Sequence, residues 1–322
     1  MPVEALMRKT YELAAASFVR RIHLNHISRK ESFRTRQVCL ETGFRELTKE
    51  GLCSIPKTAG GRCFILGSGS SVNDLRDKDF REIEKSFSIG INAWVSHHFT
   101  PDAYSFEADG LDEAPSKEII AMSEALALKA KENPELALFL LRPKRVGLQK
   151  RMVKIPATLV NRSFMYGRYN LVTRNPENLE RDLGLVIARA EKAISSQPVI
   201  VDNGASVVRL VTLCALMGFT EIVLVGVDLN ANLYFWQKRE AESASDAVWE
   251  SYPRKFNPRH DTLETENRPF STQAFLIALS ASVREHFGAR VLVGSPGSSL
   301  ASHLPLFEWS RINTPHPEGS HN

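Results

Sequence analysis

The stretch of this chain richest in groups that could do chemistry is Asp202-Asn203-Gly204-Ala205-Ser206, followed by an apolar helical run and then Glu221-Ile-Val-Leu-Val-Gly226-Val-Asp228. Asn203 or Ser206 is suited to cap the helix, Gly218 to end it, and the strand that follows delivers Gly226 and Asp228 at its carboxyl end. That is the edge where open α/β sheets bind ligands. A glycine there admits a flat base or a ribose. An aspartate there can accept from a ribose hydroxyl or cap a turn, and the residue type leaves both readings open. Asn230, Asn232 and Tyr234 are close enough in sequence to reach the same crevice.

A second segment, Cys63-Phe-Ile-Leu-Gly67-Ser68-Gly69-Ser70-Ser71, is an apolar strand running into a loop of small residues. Small residues let backbone N–H groups and hydroxyls approach a phosphate or ribose. The loop lacks the third glycine of a dinucleotide fingerprint and the Gly-Lys-Ser/Thr of a P-loop. Two further strands end on polar residues: Phe87–Ile91 leads into Asn92, and Ala103–Phe106 into Glu107. Asn92 can face a ligand or cap a helix, and Glu107 reads equally as a solvated loop acid. Tyr252 to Thr262 is a basic loop punctuated by proline, in which Arg254, Lys255 and Arg259 suit an anionic substrate and His260 is a candidate base. His97 and His98 receive no role. The sequence has no HExxH, no Cys/His cluster, no GxSxG and no convincing DxD after a strand, so no metal site or serine nucleophile is expected.

The elements that must position these groups alternate in the manner of βα units. Strands are expected at Cys63–Gly67, Phe87–Ile91, Ala103–Phe106, Leu136–Leu141, Ile222–Gly226 and Val291–Gly294. Helices are expected over Ser116–Lys131, Leu179–Ser195, Ala205–Met217 and Thr272–His286. The fold class is therefore α/β, a Rossmann-like, mainly parallel sheet with helices on both faces, preceded by a helical N-terminal extension. With 322 residues, 43% of them hydrophobic, the chain can bury a large core. Cys39, Cys53, Cys63 and Cys214 show no paired spacing, which suits free thiols in a reducing compartment.

From Arg8 to Arg36 the sequence carries eight Lys/Arg and two Glu among apolar residues. Such a basic amphipathic arm can pack on the main domain with its charges solvated, or lie on anionic lipid or an acidic acceptor. The net charge of +4 does not point to nucleic acid. Pro56 to Gly61 marks a boundary, giving an extension over 1–58, a main domain over 59–312 and a loose tail over 313–322. Without an evident signal peptide or an apolar run of membrane-spanning length, the expected location is the cytoplasm, with peripheral contact at the inner membrane face left open. A homo-oligomer is compatible with all of this.

Taken in order, these segments resemble glycosyltransferase family 42, the bacterial sialyltransferases that use CMP-activated sialic acid and have a modified GT-A fold. Phe64-Ile-Leu-Gly-Ser-Gly-Ser-Ser71 is similar to the family's first strand and glycine loop, with Ser68 standing where the family has a donor-contacting Asn. Asn92 matches a nucleotide-binding Asn, and Glu107 replaces another. Asn203-Gly204 resembles the family's Thr-Ser-Gly segment, and Gly226-Val-Asp228 its Gly-Ile-Asp segment beside the cytidine. Tyr234 matches one of two phosphate-binding tyrosines, and Asn230 replaces the other. Val293-Gly-Ser-Pro-Gly-Ser-Ser-Leu300 is similar to the closing strand and turn, and His260 falls at the proposed general base. The resemblance covers about residues 62–310. It implies inverting, metal-independent transfer of sialic acid or a related acidic sugar such as Kdo to a glycan acceptor, with no cofactor beyond the CMP-sugar donor. Two other classes fit parts of the sequence. One is a Mg-dependent pterin pyrophosphokinase-like enzyme using Asp109 and Asp228, and the other is a non-catalytic nucleotide-binding protein.

Overall fold

The computed structural model describes residues 25–48, 51–52, 61–107, 117–143, 154–171, 175–193, 198, 200–230, 234–235 and 269–309. Its centre is a sheet of eight strands: β1 (Arg45–Glu46), β2 (Arg62–Leu66), β3 (Phe87–Ile91), β4 (Ala103–Glu107), β5 (Ala137–Leu141), β6 (Ser163–Tyr166), β9 (Glu221–Val225) and β10 (Arg290–Val293). The order across the sheet is β1-β6-β5-β4-β3-β2-β9-β10, and every pairing is parallel. A separate two-stranded ladder joins β7 (Tyr169–Asn170) to β8 (Val201–Asp202).

Parallel strands covered on both faces read as unbroken apolar runs. β3 and β5 are buried at every position, and the interior residues of β2 and β9 likewise. Alternation sends Cys63 and Ile65 of β2 into one core and Phe64 and Leu66 into the other. The first core is completed by α4 (Leu179–Ala193), α5 (Ser206–Leu216) and α6 (Thr272–Phe287), through side chains such as Leu183, Leu210, Leu213 and Leu279. The second receives Leu126 of α3 (Lys117–Glu132), Ile83 of α2 (Asp77–Glu84), Trp94, Phe307, and Val38 of α1, which spans 25–42. Helices thus cover both faces, as the alternating pattern implied.

The six expected strands and four expected helices are all present to within a few residues. Four short strands, β1, β6, β7 and β8, and helix α2 did not stand out in the sequence; β1, β7 and β8 have two residues each, too few to display a period. Residues 45 and 46, assigned by sequence to the extension, form the edge strand of the main sheet, with Arg45 opposite Phe164 and Glu46 opposite Met165. Among the described residues no helix is long and apolar enough to cross a membrane.

Candidate functional site

The chain runs outward from β2 through β3, β4, β5 and β6 on one side, then returns with β9 and β10 on the other. β2 and β9 therefore flank the topological switch point, and the loops leaving their carboxyl ends frame the crevice where a sheet of this kind takes its ligand. A cavity of about 390 Å³ lies there, walled by Ser70, Ser71, residues 74–76 and Asp79, by Val225, Gly226, Asp228 and Asn230, and by residues 294–297 and Trp309. That volume falls in the range of small-molecule sites.

Three loops build the wall by bonding to one another. Gly67 N–H donates to Val225 O (2.7 Å) and Gly69 N–H to Gly226 O (2.8 Å). A Cβ on Gly67 would come within 2.5 Å of the Gly226 carbonyl oxygen, and one on Gly226 would strike the Gly67 carbonyl. Gly226 also sits at φ +64°. These two glycines are required by the packing of loop on loop, a demand that the sequence reading ascribed to a ligand. Asp228 crosses between the same loops: its carboxylate accepts from Ser71 N–H (3.0 Å) and from the Ser71 hydroxyl. Of the two readings left open for Asp228, the turn-holding one is realised, and the residue still faces the cavity. Ser298 Oγ donates to Val227 O (2.7 Å), Ser299 N–H to Asp228 O (2.9 Å) and Asn230 Nδ2 to Gly297 O (2.8 Å), tying in the loop after β10. Leu229, between Asp228 and Asn230, has φ +60°. A bulky residue in the left-handed region is strained by about 1–3 kcal/mol and points to a functional constraint.

Tyr234 is brought to this wall by a bridge to Gly69. Its neighbour Phe235 fixes the approach: its N–H donates to Ser68 O (3.0 Å), its carbonyl accepts from Asn73 Nδ2 (2.8 Å), and its ring meets Trp94 and His97 edge-on at 5.8 and 5.1 Å. His97 thus serves aromatic packing beneath the site.

A second polar region lies farther along the carboxyl edge, where β4 stands two strands from β2, on the order of 10 Å away. Glu107 accepts from Ser206 Oγ (2.6 Å) and from Arg209 Nη2. Arg209, 1% exposed, also pairs through Nη1 with Asp202 (2.7 Å), which is equally buried. Burial opposes the charge on Arg209, but Tyr166, Glu107 and Asp202 outweigh it and raise its pKa above the ordinary value. Burial likewise pushes the Tyr166 phenol up, with Arg209 working against it. Glu107 is accordingly the anchor of a buried guanidinium, correcting its reading as a solvated loop acid. The helix α5 is capped by neither expected residue. Its N-cap is Ala205; Asn203 Oδ1 accepts from Ala205 N–H (3.2 Å), while the Ser206 hydroxyl is committed to Glu107. Among the described residues, Asn203 Nδ2 is buried and finds no hydrogen-bond partner. Gly204 takes φ +88° and donates to Asp202 Oδ1 (2.8 Å).

No family model matches this chain, and no curated relative matches its sequence. Solved structures do. Sialyltransferases are among them. One is the monofunctional α-2,3-sialyltransferase Cst-I of Campylobacter jejuni, at 15% identity and a TM-score of 0.43, covering 78% of this chain and 82% of that one. Another is the sialyltransferase CstII of Campylobacter jejuni in complex with the substrate analogue CMP-3FNeuAc, at 13% identity and a TM-score of 0.41, covering 76% and 86%. A third, the sialyltransferase CST-II with a trisaccharide acceptor and CMP, has 13% identity, a TM-score of 0.40 and coverage of 77% and 86%.

The residues that the resemblance to sialyltransferases singled out thus fall into two groups. Gly67, Ser68, Gly69, Ser70, Gly226, Asp228, Asn230 and Tyr234 converge on the switch point, while Glu107, Asn203 and Gly204 converge on Arg209. Asn92 ends β3 between them, in a left-handed conformation (φ +44°) that Asn tolerates better than most residues; the cap of the turn it opens is Ile91. His260, Arg254, Lys255, Arg259 and Asp109 lie outside the described residues. Among the described residues, no cluster of three or more His, Cys, Asp or Glu is arranged to hold a metal.

Sequence reasoning missed Arg76, Asp79, Trp309 and Arg209. Trp309 stacks on Phe64 at 5.8 Å and donates to Gly294 O (2.8 Å), closing one side of the cavity. Arg76 pairs with the buried Asp79 (3.3 Å) at the rim and is the one cation in the cavity wall among the described residues. Arg209 had a legible signal: a lone cation in the run Ser-Val-Val-Arg-Leu-Val-Thr-Leu-Cys-Ala-Leu can be buried only if acids meet it.

Proposed function

We propose that the protein is an inverting glycosyltransferase that moves sialic acid or a related acidic sugar such as Kdo from a CMP-activated donor to a glycan acceptor. The observation that carries this reading is the switch-point cavity, whose wall gathers the Gly-Ser-Gly-Ser loop, the Gly226-Val-Asp228 edge and the turn after β10. These are the segments whose sequences resemble the donor-binding motifs of family 42. In the proposed arrangement the nucleotide lies over Gly226 and Asp228, and Tyr234 donates to the leaving phosphate. The sugar extends toward Asn203 and Glu107. Arg254, Lys255 and Arg259 meet the anionic substrate, and His260 takes the proton of the acceptor hydroxyl as it attacks the face opposite CMP. Phosphate charge met by hydroxyl, amide and guanidinium donors leaves no step that calls for a metal.

The test is turnover of CMP-sialic acid and CMP-Kdo by the full chain in the presence of EDTA. Donor hydrolysis or transfer should persist, and His260→Ala should lower kcat of transfer by about 10²–10⁴-fold. Loss of turnover in EDTA with recovery in Mg²⁺ would overturn the metal-independent mechanism, and Mg²⁺-dependent AMP formation from ATP and a hydroxymethyl pterin, with neither CMP-sugar turned over, would favour the pyrophosphokinase. Nucleotide binding without turnover of either donor would favour the non-catalytic protein.

A further inference from the structure

The helix α1 has two faces with different employment. Its inner face is part of the protein: Thr35, Val38 and Cys39 are buried, and Glu31 pairs with Arg142 at 2.6 Å. Its outer face carries Phe33 and Leu40, 66% and 73% exposed. Seven residues apart, they sit two turns from each other on one line of the helix. His26, Arg29, Lys30, Arg34 and Arg36 are exposed around them, and Glu41 is the one exposed acid of the helix. Large apolar side chains set in a ring of cations suit neither a purely apolar partner nor bulk water. They suit a surface that is anionic outside and hydrocarbon within.

We infer that the outer face of α1 docks the protein on an anionic phospholipid surface, Arg29, Lys30 and Arg36 meeting headgroups while Phe33 and Leu40 enter the acyl boundary. The orientation follows from the packing of α1. Thr35 and Glu31 press on Gly167, just past the carboxyl end of β6, where a Cβ would lie 3.0 Å from Thr35 Oγ1. Gly43, beyond the other end of the helix, faces Val160, which precedes β6. α1 therefore runs antiparallel to the strands along the flank of the sheet. A membrane against its outer face lies alongside the strands, and the carboxyl edge with its cavity stays open at the lipid surface. This inference is independent of the proposed chemistry.

The experiment is vesicle co-sedimentation of the full chain with phosphatidylcholine alone and with phosphatidylcholine containing phosphatidylserine. The variants are Phe33→Ser/Leu40→Ser and Arg29→Glu/Arg36→Glu, each checked for an unchanged denaturation midpoint. Partition should require phosphatidylserine, and each double variant should weaken it by about tenfold or more. Equal binding to neutral vesicles, no binding to either, or binding indifferent to both variants would overturn the inference. So would a dimer in light scattering that Phe33→Ser/Leu40→Ser dissolves, which would make the face an interface between copies of the chain.

Discussion

Around β2 and β9, polar groups are held at the wall of an open cavity by loops that bond to one another. Around β4 and β8 they are turned inward on one buried guanidinium. The two regions share an edge of one sheet and contain similar residue types. What separates them is where the charge is answered. Asp228 is satisfied by a backbone N–H and a hydroxyl, which leaves the crevice before it open to a ligand. Arg209 is paired with Glu107 and Asp202, which closes that region on itself except for the buried Asn203 Nδ2 and Arg209 Nε, which find no partner among the described residues. A ligand is expected to depend chemically on the first region and structurally on the second.

The largest effect should come from breaking the closed region. Arg209→Met leaves the buried Asp202 with only its longer contact to Arg168 (3.7 Å) and takes the cation from the half-exposed Glu107, and urea unfolding should show a loss of about 3 kcal/mol. A loss well under 1 kcal/mol would mean that the cluster is not the structural anchor described here. Next come the glycines of the open region. Gly67→Ala and Gly226→Ala drive a Cβ into the opposing loop's carbonyl and should each cost about 2 kcal/mol, with nucleotide affinity falling in parallel. Gly288→Ala supplies the contrast. Gly288 is also left-handed, at φ +67°, but has nothing within 4 Å of a Cβ and sits far along the chain from both regions, at the end of α6. Its substitution should cost about 1 kcal/mol and leave nucleotide binding unchanged.

The smallest effect concerns the opposite end of the strands, where Glu221 joins Arg62 (2.9 Å) and Arg290 across β2, β9 and β10. Burial opposes the Glu221 charge, but the hydrogen bonds from the two arginines outweigh it and hold its pKa below the ordinary 4.5. A carboxylate with a lowered folded pKa stabilises the fold above its unfolded pKa, and that stability is lost as pH falls through the folded value. Wild type should exceed Glu221→Gln by about 1 kcal/mol at neutral pH, with the gap closing below about pH 4.5. A gap that persists into strong acid would place the effect in packing.

How much of this was legible in the sequence follows from length scale. Strands of five buried residues announce themselves, and so do helices of eleven to sixteen, so the sheet and its glycine-rich edge could be read directly. β1, with two residues, could not be, and its absence placed residues 45 and 46 outside the main domain. In the site, sequence identified which residues stand at strand ends but not which of them satisfy one another. Asp228 on Ser71 spans 157 positions and Arg209 on Glu107 spans 102, and neither spacing has a sequence signature. Trp309 belongs to the cavity through stacking on Phe64, a tertiary contact that no local pattern encodes.

The central claim is that a cytidine nucleotide binds at the switch point and not in the Arg209 region. Calorimetric titration of CMP into wild type, Asp228→Asn and Glu107→Gln tests it most directly, with unfolding curves confirming that each variant is folded. CMP should bind wild type, Asp228→Asn should weaken binding by about tenfold, in line with a hydrogen bond to a charged group worth about 1.5 kcal/mol, and Glu107→Gln should change it by less than about threefold. CMP that fails to bind wild type, or that binds Asp228→Asn normally and loses Glu107→Gln, would contradict it.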